Sequence, residues 1–301
     1  MAARFGSVRD DGARPNPPPS SRSRSNLGLR REESAYQVRQ GDYDQEADQV
    51  PVIPRKQFVE EFAKKYTPSH LTMIGPTQRG KTTLCFQLLH AVLARNPKWK
   101  VTTLHGKIKG RDHTMQDWAK KSNYRIITRY PPGMAIRPKH WKRNVKGYIL
   151  RPLKKDDIPA SEEEKILKTE YAKALRKNYH STRNVKITLV DERAQADKDL
   201  RLTDQLDAPL QRGLPHNPEW NNVQRGAWVS YHCYDAPEHM FIYHDDHESN
   251  RKRYSEFGCA DPDVIFRLVS KLKTQKVKTG GTISQCLYMR RSDRYMCIVD
   301  T

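Results

Sequence analysis

The stretch "GPTQRGKTTLCF", Gly75 to Phe86, constrains this chain more than any other, because it dictates a loop together with the elements before and after it. Its spacing is G-x-x-x-x-G-K-[ST]. Two glycines let a loop wrap closely, so that backbone N–H groups and the N-terminus of a following helix converge on phosphate oxygens. The short apolar run Leu71 to Ile74 reads as a strand in front, and the apolar periodicity of "LCFQLLHAVLA" as the helix behind. Gly75, Pro76, Thr77, Gln78, Arg79, Gly80, Lys81, Thr82 and Thr83 are therefore the candidate cofactor-binding residues, with ATP as the cofactor. Lys81 would reach the β- and γ-phosphates. The Thr82 hydroxyl would hold Mg2+, a hard ion that takes the rest of its octahedron from water and phosphates. Thr83 is expected to cap or pack.

A second motif lies far along the chain. "SEEEKILKTEYAKALRKNYH" predicts a helix, with Ser161 as N-cap, Glu164 as its capping-box partner, and Ile166, Leu167, Tyr171, Ala174 and Leu175 on one face. It leads into "NVKITLVDE", a buried parallel strand ending in two acids. Ligands of parallel α/β sheets bind outside the carboxyl ends of the strands, which brings Asp191 and Glu192 to the edge where the phosphate loop sits. Asp191 would hold Mg2+, directly or through water, and Glu192 would accept a proton from the attacking water.

Strands alternating with helices predict an α/β fold with a mostly parallel sheet covered on both faces. Further strands are expected at "WKVTTLHG", "YRIITRY", "GYILRP", "AWVSYHCY" and "HMFIYH". Helices are expected at "RKQFVEEFAKKY", "DHTMQDWAKK", "LRLTDQLDAPL" and "DPDVIFRLVSKL", the last opened by Asp261 and Pro262. "CLYMRRSDRYMCIVD" predicts a closing pair of strands about a Ser-Asp turn. Residues 1–50 are rich in Pro, Ser and Arg and poor in apolar residues; they predict a disordered arm ahead of one domain over 51–301.

The formal charge is +20, which points to a polyanionic partner. It is unevenly spread. Residues 1–50 hold eight basic and eight acidic residues, whereas Lys98 to Lys155 holds 17 basic and 2 acidic ones, a net +15. Trp99, Trp118, Tyr124, Tyr130, Trp141 and Tyr148 lie among these cations, either as core residues or as stacking surfaces. The five cysteines form no C-x-x-C pair and suit a reducing compartment without disulfides. There is no apolar leader and no run long enough for a membrane span, so a soluble intracellular protein is expected. His232, Cys233, His239, His244 and His247 match no common zinc spacing.

The sequence resembles the FtsK-HerA superfamily of P-loop pumping ATPases, and most of all its phage and plasmid DNA-packaging or DNA-transfer members. The resemblance covers about residues 70–301 and rests on "GPTQRGKTT", "LHGKIKGRD", "ITLVDE", "QRGAWVSYHCYDAP", "SEFGCADPDVIFRLVSKLKTQKV" and "CLYMRRSDRYM". It implies a RecA-like domain of the ASCE class with a C-terminal β-hairpin. It also implies ATP hydrolysis, with Lys81, Glu192 and an arginine finger as the catalytic set and Thr82 and Asp191 on Mg2+. The finger would be Arg225 in "QRGAW", with Arg212 in "LQRGL" as the alternative. It implies a ring, a hexamer, acting on double-stranded DNA, with capsid or portal proteins as further partners if the chain is viral and the host cytoplasm or the virion as its location. Relatives commonly place threonine and glutamine at the end of a sensor strand; His232-Cys233-Tyr234 stands there here, leaving the sensor open. Two other classes share the phosphate loop. A small-molecule kinase would add an arginine-rich lid and would not need Glu192, and a nucleotide-gated assembly protein would bind ATP without sustained turnover. Conjugation and segregation pumps remain open beside viral packaging.

Overall fold

A computed structural model describes residues 49–105, 125–129, 145–150, 159–180, 184–212, 216–245, 247, 250, 253–276 and 282–301. The N-terminal arm, the helix expected at "DHTMQDWAKK", "LHGKIKGRD" beyond His105 and most of the basic segment lie outside the described residues.

In chain order the elements are β1 (Val52–Ile53), α1 (Arg55–Lys65), β2 (Leu71–Ile74), α2 (Lys81–Arg95), β3 (Lys100–His105), β4 (Arg125–Arg129), β5 (Val145–Leu150), α3 (Ala160–Tyr179), β6 (Lys186–Asp191), α4 (Arg193–Lys198), α5 (Thr203–Arg212), β7 (Glu219–Val223), α6 (His232–Asp235), β8 (His239–Tyr243), α7 (Pro262–Lys271), β9 (Thr274–Lys276), β10 (Thr282–Ser284), β11 (Cys286–Arg290) and β12 (Tyr295–Val299). A 10-stranded sheet runs β1-β12-β11-β8-β2-β7-β6-β3-β5-β4, and β9 and β10 form a separate antiparallel pair. Within the large sheet β11 runs against its neighbours β8 and β12, and the other described pairs are parallel.

Strand alternation divides the core between two helical layers. On one face Leu71, Met73, Ile187, Leu189, Trp220, Phe241 and Tyr288 meet Phe58 and Phe62 of α1 and Leu84, Leu88 and Val92 of α2. On the other, Ile74, Val223, Met240, Ile242 and Leu287 meet Val264, Ile265 and Leu268 of α7. Further along that face Leu104, Tyr148, Leu150 and Val190 meet Leu167, Tyr171, Ala174 and Leu175 of α3, with Leu206 of α5.

Most expected elements form where the apolar pattern placed them, and α7 has its Asp261 cap, whose side chain accepts from the Asp263 N–H. Two expectations are corrected. The cap of α3 is Pro159, whose carbonyl accepts from Glu162 and Glu163, so Ser161 is already inside the helix and makes no cap hydrogen bond. The stretch "AWVSYHCY" is not a strand: it forms a 3-10 turn, Gly226–Trp228, and then α6. The close packing of Gly226 on the Tyr234 hydroxyl, and the Ser230 hydroxyl accepting from the His232 N–H, turn the chain back on itself. The strand beside β6 is instead β7, "EWNNV", which reads as polar but is wholly buried. Among the described residues no helix is long and apolar enough to cross a membrane.

Candidate active site

Three strand ends define the site. The rows Leu71–Trp220–Leu189 and Thr72–Asn221–Val190 lie level across β2, β7 and β6, so the loop after β2 and Asp191 at the end of β6 emerge at one edge of the sheet. β7 stands between them, which sets the two motifs two interstrand steps, about 10 Å, apart. A triphosphate and its metal need room on that scale.

The phosphate loop leaves β2 through Gly75, at φ +153°, where an added Cβ would lie 2.5 Å from Cβ of Tyr243 on β8. Gly80, at φ +86°, precedes the first residue of α2. That helix has neither a capping side chain nor an acid in its first turn. Its first N–H groups and the positive end of its dipole therefore face the loop, as an anion requires. Lys81 is buried, with Nζ donating to the carbonyls of Gly75 (2.5 Å) and Pro76 (2.6 Å). Pro76, Arg79, Gly80 and Thr82 are half-buried, and Thr77, Gln78 and Thr83 exposed, so Thr83 does not pack into the core. Arg79 donates to the Thr274 hydroxyl of β9 (3.1 Å), which ties the loop to the β9–β10 pair.

Asp191 is buried and held at both oxygens. Asn222 Nδ2 donates to Oδ1 (3.2 Å), and His105 Nδ1, at the end of β3, lies 3.1 Å from Oδ2. These contacts fix the orientation of the carboxylate. Beside it Asn222 Oδ1 and His105 Nε2 are buried without a hydrogen-bond partner among the described residues. A buried carboxylate with unsatisfied polar atoms beside it suits an oxygen-ligated cation with its waters, the chemistry of Mg2+. The residues present fit that ion.

Glu192 follows at φ 62°, ψ 56°, a left-handed conformation that costs a non-glycine residue about 1–2 kcal/mol. Gln224 Nε2, just beyond β7, donates to its Oε1 (3.0 Å). The next side chain, Arg193, is fully buried. Its Nε donates to Asp197 (2.9 Å), Nη1 to Glu219 (2.5 Å) and Asn221 (3.3 Å), and Nη2 to Asp207 (2.5 Å). Burial alone would favour a neutral guanidinium, but the surrounding acids Glu219, Asp197 and Asp207 hold it protonated. Burial pushes Glu219 up to about 7, against the pull of Arg193.

The two arginine candidates separate. Arg225 is exposed next to Gln224, with Cζ 4.5 Å from the centre of the Trp228 ring. Arg212 donates to the Tyr179 hydroxyl (3.0 Å), at the end of α3 and near the start of β6, the opposite edge of the sheet from the phosphate loop. His232 sits on α6, 3.4 Å from Asp235, and not at a strand end. The polar side chains closing the strand between the motifs are Asn222 and Gln224. Their signal in the sequence was two asparagines and a glutamine around a valine, "NNVQ", with no exposed role for them on a buried strand. Among the described residues no cluster of His, Cys, Asp or Glu could hold a metal through three or more such ligands, and all five cysteines are buried and free.

No family model matches the chain, and no curated protein matches it. Among solved structures, the genome packaging NTPase B204 from Sulfolobus turreted icosahedral virus 2, in complex with AMP, is similar with a TM-score of 0.50 at 12% identity, over 78% of this chain and 98% of that one. Its complex with sulfate gives 0.50 at 14% identity over the same shares, 78% and 98%. The pCW3 conjugation coupling protein TcpA, in its monomer form with ATPgS, gives 0.42 at 12% identity over 77% of this chain and 60% of that one. The likeness to B204 is one of fold. It agrees with the P-loop NTPase architecture that the resemblance implied: a mostly parallel sheet flanked by helices, with antiparallel strands at the C-terminus.

Proposed function

We propose that this chain is an ATP-hydrolysing motor that works as a ring on double-stranded DNA, and that its task is packaging a viral genome. The observation that carries the chemistry is the pairing of buried Asp191 with left-handed Glu192 at the strand end two places from the phosphate loop. Lys81 would exchange its carbonyl partners for β- and γ-phosphate oxygens. Thr82 and Asp191 would hold Mg2+, which when bound neutralises charge on the transferred phosphoryl group. Glu192, oriented by Gln224, would take the proton of the attacking water. Arg225 would stabilise the same charge in a neighbouring subunit. The DNA and packaging parts rest on the net +15 of Lys98 to Lys155, on the FtsK-HerA resemblance and on the likeness to B204, a genome packaging NTPase.

The test is ATP turnover beside binding of a non-hydrolysable analogue. Lys81→Ala is expected to lose both. Glu192→Gln is expected to bind the analogue normally while turnover falls roughly 10²- to 10⁴-fold, as for loss of a general base. Unchanged turnover in Glu192→Gln removes that residue from the mechanism.

A further inference from the structure

We infer that Arg193 is a positioning residue for the general base, locking Glu192 and Gln224 to one another through a buried ring of acceptors. The inference rests on the reading of Glu192 as that base. Its ground is where the partners of a single guanidinium come from. Asp197 belongs to α4, Asp207 to α5, and Glu219 and Asn221 to β7. Asp207 also accepts from the Ser230 hydroxyl (2.6 Å), which brings in the turn that carries Trp228.

Both ends of the Glu192–Gln224 hydrogen bond lead back to this ring. Glu192 is bonded directly to Arg193, and Gln224 lies three residues beyond Asn221, immediately after the strand that carries it. The path from Glu192 through Arg193, Asn221 and β7 to Gln224 is therefore closed. A residue held at positive φ needs surroundings that over-determine it. A planar fork with donors aimed at three elements does so, and a lysine ammonium, a point charge on a flexible stem, does not. Ordinary core packing does not call for such a group either, because a fully buried arginine with three carboxylates is seldom worth more to stability than apolar residues of the same volume.

The experiment is a double-mutant cycle on the full chain, measuring kcat, KM for ATP and analogue affinity. Arg193→Lys is expected to lower kcat about 10- to 100-fold while analogue affinity stays within about threefold, the pattern of a misplaced catalytic group. In the Glu192→Gln background the same substitution is expected to cost no further turnover, since the group it positions is already gone. An equal fold-loss in both backgrounds, or a parallel loss of analogue affinity, overturns the inference and makes Arg193 a folding residue. If Arg193→Lys does not fold, Asp207→Asn, which keeps the guanidinium and removes one anchor, is taken through the same cycle with the same two outcomes. A Glu192→Gln enzyme of wild-type turnover would instead overturn the reading of the base, so the two failures are distinguishable.

Discussion

At the scale of single residues, the site depends on polar groups taken out of water and held by specific partners. Glu219 shows what that costs. Arg193 faces it with one positive charge, Asp197 and Asp207 stand nearby with two negative ones, and Asn221 and His70 complete its surroundings. Burial comes first among the effects, and the folded carboxyl holds its proton up to about pH 7 against an ordinary value of 4.5. The folded state thus binds a proton that the unfolded chain has released between those two values. Stability from this group is present below about pH 4.5 and is lost as pH rises through about 7. Thermal unfolding at pH 5 and pH 8 checks the sign: Glu219→Gln, which cannot ionise, is expected to lose less stability over that interval than the wild type. Parallel losses would mean that Glu219 titrates normally. Lys81, Asp191 and Glu192 were legible in the sequence because each belongs to a motif with fixed local spacing. His105, Arg193, Asn222 and Gln224 were not, because their partners lie on other strands and helices and are chosen by the order of the sheet.

The elements show the same division. β2, β6 and β8 were readable because a strand buried on both faces is largely apolar along its length, and α2 and α7 because their apolar stripes repeat at helical spacing. β7 escaped. "EWNNV" looks like a loop until Arg193 is placed opposite Glu219 and Asn221, Asp191 opposite Asn222, and the Tyr66 hydroxyl 2.9 Å from Trp220 Nε1. The alternation in "AWVSYHCY" then drew the strand assignment to the wrong side of Gly226. The correction bears on function, since β7 ends at Val223 and hands the chain through Gln224 to Arg225 at the same edge as the phosphate loop. If Arg225 acts across a subunit interface, Arg225→Ala and Glu192→Gln proteins, each nearly inactive alone, are expected to regain part of the turnover when mixed, at interfaces that combine an intact arginine with an intact base. Arg212→Ala, at the far edge, is expected to turn over normally. No recovery on mixing, with assembly intact, would rule out action in trans.

At the scale of the whole molecule, the charge and the proposed chemistry are separate in sequence: the net +15 lies between Lys98 and Lys155, the proposed ATP site at Gly75 to Thr83 and Asp191–Glu192. Lys146 is the member of Lys139, Lys142, Arg143 and Lys146 among the described residues; it is half-buried and donates to the Pro97 carbonyl. A motor indifferent to sequence should grip phosphates, which carry no base information. Such a grip is electrostatic and loses about 0.9 in log K per decade of salt for each phosphate neutralised. The most direct measurement is therefore ATP turnover by the full chain with and without duplex DNA of unrelated sequences, across a range of salt, in the wild type and in a protein with those four cations replaced by glutamine. For a DNA motor, turnover is expected to be stimulated by any duplex, the stimulation to fade with salt, and the quadruple variant to keep wild-type basal turnover with little stimulation. Turnover that ignores DNA, or a variant that loses basal and stimulated activity in equal measure, would contradict that reading.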